Sequence, residues 1–389
     1  MKILLATSYD YPHLGGLSTH MTTLKTGLEN LGHTVETLSF TDVAKWRRDY
    51  IARGPSFLLN KLSLGAGYHW TLNRRQEFLE SILKQDKYQS FDIVNAQDVF
   101  ATRASLNAGL PTVTTAHGYL TYEGISKGSV KEGSKHAKNL LDVEFSMFQK
   151  TNEVITVDTR IKDYIQRESG VTATMIKNFI NVEDFKPELE RRNEFRKKFG
   201  FSEDDLIFFI PRRLTKKNGV IYPILSFPPV LKEYPNARLV FAGTGEMMDE
   251  MKAKAKELGI ADRVTMLGAV DHKDMIQYYA LSDIALVPSI LSAGVEEATS
   301  ISALEAMGSG IPLIACAVGG LKEIVDHGKD GLLVEERNVG ELTDAMIDLL
   351  ARPEYGEQLA TEARQKIINE YSHFAAAEKY EAIYKKALA

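Results

Sequence analysis

The chain has 389 residues, 44% of them apolar and 25% charged. That is the balance of a globular protein long enough for two domains, and it excludes wholesale disorder, collagen-like repeats and a coiled-coil rod. Lys and Arg total 47 against 52 Asp and Glu, a net charge of −5, which argues against a general nucleic-acid binder. Cys316 is the sole cysteine, so no intrachain disulfide forms, as suits a reducing compartment.

No apolar run reaches the ~20 residues of a membrane helix. Met1–Thr7 has too short an apolar core for a secretory leader. It reads as a buried first strand, and a cytoplasmic protein is expected.

Along the chain, short Val/Ile/Leu-rich runs alternate with amphipathic stretches. Lys2–Thr7 predicts a strand and Ser18–Leu31 a helix closed by Gly32. Strands are then expected at Thr34–Phe40, Phe91–Asn95, Thr112–Ala116 and Glu153–Val157, with helices at Ser134–Gln149 and Thr159–Glu168. A charge-dense stretch, Val182–Asp205, interrupts the alternation and reads as a linker. Strands resume at Leu206–Ile210, Arg238–Ala242, Arg263–Leu267, Ile284–Val287, Pro312–Ala315 and Leu332–Val334, and two helical stretches, Glu354–Glu370 and Phe374–Ala387, end the chain. The pattern predicts an α/β protein with two mainly parallel sheets.

One window departs from the general composition. Lys45, Arg47, Arg48, Arg53, Lys61, Arg74 and Arg75 face only Asp49, with Trp46, Tyr50, Phe57, Tyr68 and Trp70 interleaved. It reads either as a solvated helical insertion or as a surface for acceptor or for peripheral contact with an anionic membrane.

The chemistry-bearing residues fall just after strands, where open parallel sheets bind ligands. Gly15-Gly16 admits a close backbone approach near a helix start able to hold an anion. Neither Gly15-Gly16 nor Gly243-Thr244-Gly245 completes a G-x-G-x-x-G pattern, so a nicotinamide dehydrogenase is poorly supported. Arg212, Arg213, Lys216 and Lys217 crowd a strand end, where a diphosphate is a natural partner. Glu297 and Glu305 stand seven residues apart, and Thr299-Ser300 between them can start a helix whose free N–H groups suit phosphate oxygens. With one sheet rim from each half, the simplest geometry has the rims facing across one cleft.

The run from Pro288 to Pro312, carrying Glu297 and Glu305, resembles glycosyltransferase family 4, the group 1 retaining transferases with the GT-B fold. Val318–Val325, Asp330–Val334, Gly15-Gly16 with His20, and Leu31-Gly32-His33 are similar to the same family. The resemblance implies two Rossmann-like domains facing across a cleft. These are an acceptor-binding domain at 1–185, joined by a returning helix at about 372–389, and a nucleotide-sugar domain at 186–371.

By that resemblance Glu305 accepts the ribose hydroxyls and Glu297 contacts the donor sugar. The backbone of Ala298, Thr299, Ser300 and Ile301 meets sugar and phosphate, and Arg213 and Lys217 neutralise the diphosphate. Gly16 lies against that diphosphate, Gly245 belongs to the donor site, Val270 stands where such enzymes hold the base, and His117 lies beside the donor sugar. Two departures stand out. Asn218 occupies the family's usual Lys position, leaving Lys216 and Lys217 as alternatives and Arg212 competing with Arg213. The interdomain loop reads Asn178-Phe179-Ile180-Asn181.

The implied function is transfer of a sugar from a nucleotide-diphosphate sugar to a hydroxyl acceptor that the sequence does not identify. No cofactor and no obligatory metal are expected, because the cations do the work of Mg²⁺ and no paired-aspartate motif ends a strand. The alternatives are a non-catalytic binding or coat component of this fold and a sugar-nucleotide epimerase or a phosphorylase.

Overall fold

The computed structural model describes residues 1–13, 16–291 and 299–389. They form two compact units, one of Met1–Asn178 with His373–Ala389 and one of Phe179–Ser372. The chain therefore passes between units at Asn178/Phe179 and again at Ser372/His373.

The first unit holds strands β1 (Lys2–Ala6), β2 (Thr34–Leu38), β3 (Ile93–Ala96), β4 (Thr112–Ala116), β5 (Glu153–Thr156) and β6 (Thr174–Met175). They form one parallel sheet in the order β2-β1-β3-β4-β5-β6. β3 and β4 are buried at every position, as expected for parallel strands covered on both faces. The helix His373–Leu388 packs on the helix Gly16–Asn30. Gly27 permits this crossing, since a Cβ there would sit 2.4 Å from the His373 carbonyl oxygen.

The second unit holds β7 (Leu206–Ile210), β8 (Ala237–Phe241), β9 (Val264–Met266), β10 (Ile284–Val287), β11 (Leu313–Cys316) and β12 (Leu332–Val334). Its parallel sheet runs β12-β11-β10-β7-β8-β9, the doubly-wound order whose topological switch lies between β7 and β10. In the first unit the direction reverses between β1 and β3.

Two expectations are corrected here. Val182–Asp205 is no linker, because it belongs to the second unit. Its helix Arg192–Phe199 buries Phe195 and sends Arg192 and Arg196 to Asp283, Arg196 at 2.8 Å. The charge density that suggested a linker is partly an ion-pair cluster within this unit. The window 45–75 also holds fewer uncompensated cations than its sequence implies. Asp10 takes Arg48 (3.7 Å) and Arg53 (2.7 Å), Glu77 takes Arg74 (2.5 Å), and Arg75 turns inward to the Ser8 carbonyl (3.3 Å). Asp10 and Glu77 lie outside the window, so counting within it missed them.

Candidate functional site

In each unit a half-buried side chain bridges the two loops that flank the switch point. In the first unit this is Asp98, directly after β3. It caps the helix Val99–Asn107 by accepting from the Phe100 and Ala101 amides at 3.0 and 2.9 Å. It also accepts from the Ser8 amide (2.6 Å), Ser8 Oγ (2.7 Å) and Thr7 Oγ1 (2.9 Å), which fixes the loop after β1. Between these loops and the end of β4 lies a cavity of about 240 Å³ lined by Tyr9, His13, Gln97, Asp98, His117 and Glu123.

His117 follows β4 and points to Gln97, with Nε2 and Oε1 2.8 Å apart. Burial pushes its imidazole down to about 4, so at neutral pH the ring is uncharged and Nε2–H donates to Gln97. His20 packs edge-on against it with ring centroids 4.6 Å apart. His20 Nε2 in turn lies 3.1 Å from the Tyr380 hydroxyl on the last helix. Behind the site Glu144 holds the helix Leu120–Ser126 through the Leu120 amide (3.2 Å) and Thr121 Oγ1 (3.1 Å). Burial pushes its carboxyl up to about 7. Gly118 leaves room for the Glu123 side chain, whose Oε1 would lie 2.2 Å from a Cβ.

In the second unit the bridge is Arg212. Its guanidinium donates to Ser289 Oγ (2.9 Å) after β10, to Asn218 Oδ1 (2.9 Å), and to Ser300 Oγ (3.0 Å) and Ser302 Oγ (2.9 Å). Asn218 also donates to the Arg213 carbonyl at 2.7 Å. Through these bonds Arg212 ties the loops together, while Arg213, Lys216 and Lys217 are exposed. Asn218 is part of the same clamp, a use the departure from the family pattern did not suggest. Among the described residues none of those three cations has a carboxylate partner.

The helix expected after Thr299-Ser300 runs Ile301–Gly308, with Ser300 as its buried N-cap. Glu305 lies in its second turn and accepts from the buried Tyr279 hydroxyl at 2.9 Å. Burial pushes the Glu305 carboxyl up to about 7, against the lowering effect of that bond. Tyr279 carried no sequence signal beyond a place on an amphipathic helix, His272–Leu281.

Gly245 has a packing reason of its own, because a Cβ there would lie 2.2 Å from the Leu214 carbonyl oxygen. The Leu214 amide donates to Thr244 (2.9 Å), and the Met247 amide donates to Leu214 (2.9 Å). Val270 is half-buried beyond β9. Gly16 opens the helix Gly16–Asn30 with nothing within 4 Å of a Cβ position. The expected roles of Gly15, Glu297 and Ala298 fall outside the described residues. A larger cavity of about 520 Å³ reaches Leu206, Ile284 and Pro312 at the amino ends of the second sheet, the rim opposite these loops.

Two family models match this chain. Glycosyltransferase Family 4 covers residues 14–184 and Glycosyl transferases group 1 covers residues 191–366. The chain belongs to the family 4, group 1 glycosyltransferases. A glycosyltransferase of Methanocaldococcus jannaschii, itself uncharacterized, is 28% identical, covering 100% of this chain and 99% of its own length. Sucrose-phosphate synthase from Thermosynechococcus elongatus superposes with a TM-score of 0.72 at 20% identity over 99% of each chain. The Anabaena protein HepE, solved with UDP, gives 0.71 at 18% identity over 99% of this chain and 100% of its own. The fold of this glycosyltransferase is thus GT-B. The coat-component and epimerase alternatives find no support in these matches.

Proposed function

We propose that this glycosyltransferase is a retaining, metal-independent enzyme that moves a hexosyl group from a nucleoside-diphosphate sugar to a hydroxyl acceptor in the cytoplasm. The observation that carries the reading is the switch point of the second unit. Arg212 is engaged in holding the loops, while Arg213, Lys216 and Lys217 are exposed with no carboxylate partner among the described residues, and Glu305 lies in the second turn of the helix that Ser300 caps. UDP in the structural neighbour HepE supports a nucleotide at such a site.

In this reading Glu305 takes the ribose hydroxyls, Val270 borders the base, and Thr299, Ser300 and Ile301 present backbone to phosphate and sugar. Arg213 and Lys217 stabilise charge on the leaving diphosphate, where preorganised cations lower the barrier most. Gly16 and His117 keep the diphosphate and donor-sugar roles that the resemblance implies, as does Glu297. A neutral His117, held by Gln97, offers a fixed hydrogen-bonding face and no charge. The bond from the anomeric carbon to the phosphate oxygen breaks as the acceptor oxygen bonds to that carbon on the same face. The acceptor proton passes to the departing phosphate, so no carboxylate base is needed.

Incubation with UDP, GDP and ADP sugars and a set of hydroxyl acceptors, in excess EDTA, tests this. Acceptor-dependent release of nucleoside diphosphate with retained anomeric configuration is expected. Loss of turnover in EDTA with rescue by Mg²⁺ or Mn²⁺, or an inverted product, overturns it.

A further inference from the structure

Among the described residues eleven large hydrophobic side chains are exposed, and six of them lie between positions 46 and 64. They are Trp46, Tyr50, Phe57, Leu58, Leu62 and Leu64, with exposures from 50% to 84%. The helix Ser56–Leu62 has no buried residue at all. A helix this short is not stable through its own backbone bonds, and an apolar cluster of this kind on a soluble surface marks a contact. The segment is nevertheless firmly placed at its base. Trp70 donates to the Ile51 carbonyl (2.9 Å), Thr71 to the Ala52 carbonyl (3.1 Å), and a Cβ on Gly67 would overlap the Ser56 carbonyl. The apolar side chains are thus held outward.

We propose that the segment 45–64 is a docking surface for an anionic lipid bilayer. The charge at its edge selects this occupant. Lys45, Arg47 and Lys61 have no carboxylate partner among the described residues, and Asp49 and Asp10 are both occupied by Arg53. Arg47 lies over Trp46 at 5.4 Å and Lys61 over Phe57 at 4.6 Å. Cations on flexible stems beside aromatic rings suit the headgroup level, with Leu58 and Leu62 entering the acyl boundary. A second copy of this chain is disfavoured, because a two-fold contact would set these cations against their own copies. With four of the seven cations of the window neutralised or turned inward, apolar insertion carries more of the binding than charge does. The inference rests on surface chemistry alone and stands or falls apart from the catalytic reading.

Co-sedimentation of the full chain with phosphatidylcholine vesicles, with and without phosphatidylglycerol, tests it. Binding to the anionic vesicles is expected, with a blue shift of tryptophan emission as Trp46 enters the interface, and retained in large part as salt rises. A Leu58→Ser/Leu62→Ser variant should bind at least tenfold more weakly with an unchanged circular dichroism spectrum, since both residues are exposed. A Lys45→Glu/Lys61→Glu variant should lose the preference for anionic lipid. No binding at low salt, equal binding to both vesicle types, or an unaffected serine variant overturns the proposal. Lipid-free self-association abolished by the same serines overturns it in favour of a second copy.

Discussion

The Tyr279 hydroxyl donates to the Glu305 carboxylate across 2.9 Å, joining the helices His272–Leu281 and Ile301–Gly308. Tyr279 is fully buried and also bonds the Ser302 carbonyl at 3.1 Å. Its phenol is held well above its ordinary range by burial and by the neighbouring carboxylate. Glu305 is therefore a positioned acceptor that burial has made hard to ionise.

This gives Glu305 a pH signature. Its folded pKa, about 7, lies above the ordinary 4.5, so the folded state holds the proton more tightly. The stability this group contributes is fully present below the unfolded value and is lost as pH rises through about 7. Scanning calorimetry of the ligand-free protein should show a midpoint falling from pH 5 to pH 8, with a shallower slope in Glu305→Gln. Nucleoside diphosphate binding should tighten over the same interval, because ribose hydroxyls donate best to a carboxylate. Glu305→Gln should weaken binding by about tenfold or more and remove the pH dependence, and a parallel pH profile in the variant would exclude Glu305 from the site.

Arg212 and Arg213 should separate cleanly. Arg212→Ala removes a charged donor from Asn218, Ser289, Ser300 and Ser302. It should cost about 3 kcal/mol in chemical denaturation. Arg213→Ala should stay within about 0.5 kcal/mol of the native protein, as exposed positions do. It should lower turnover by about 10²-fold. The opposite assignment of the two phenotypes would overturn the division of labour between them.

The two predicted glycines should also behave differently. Gly245→Ala places a Cβ 2.2 Å from the Leu214 carbonyl oxygen, and the forced shift should destabilise by about 1–3 kcal/mol. Gly16→Ala meets nothing within 4 Å and should fold as well as the native chain. Any loss it shows should appear in nucleotide affinity, measured by isothermal titration calorimetry. A large drop in stability with Gly16→Ala would show a structural role instead.

His117 should contribute no limb to the pH–rate profile between pH 5 and 8, because burial depresses its folded pKa to about 4. The sign for stability is opposite to that of Glu305. The contribution is present above the unfolded pKa of 6.5 and is lost as pH falls through about 4, since the unfolded state binds the proton first. Acid unfolding of His117→Asn should therefore be less steep, while turnover falls by about tenfold or more from loss of one hydrogen-bonding group. An acid limb near pH 6.5 that vanishes in this variant would show that His117 titrates in the working enzyme.

The sequence by itself determined the local features. Buried runs such as Leu206–Ile210 and Ile284–Val287 stood out because parallel strands covered on both faces are largely apolar. The helix start at Ser300, the strand-end cations and the Glu297–Glu305 spacing were legible because each is written in consecutive residues. Only the tertiary structure decided which of two adjacent arginines ties the loops together, since Arg212 finds its hydroxyl partners 77 to 90 positions away. The same holds for Tyr279 beneath Glu305, for Asp98 across the loop after β1, and for Asp10 and Glu77 neutralising cations that a window count left unpaired. Val182–Asp205 was misread for that reason, two of its cations, Arg192 and Arg196, being paired with Asp283 just before β10. Periodicity and capping act between near neighbours in the chain, whereas desolvation and polar pairing act through space, and only the packed loops fix which groups meet.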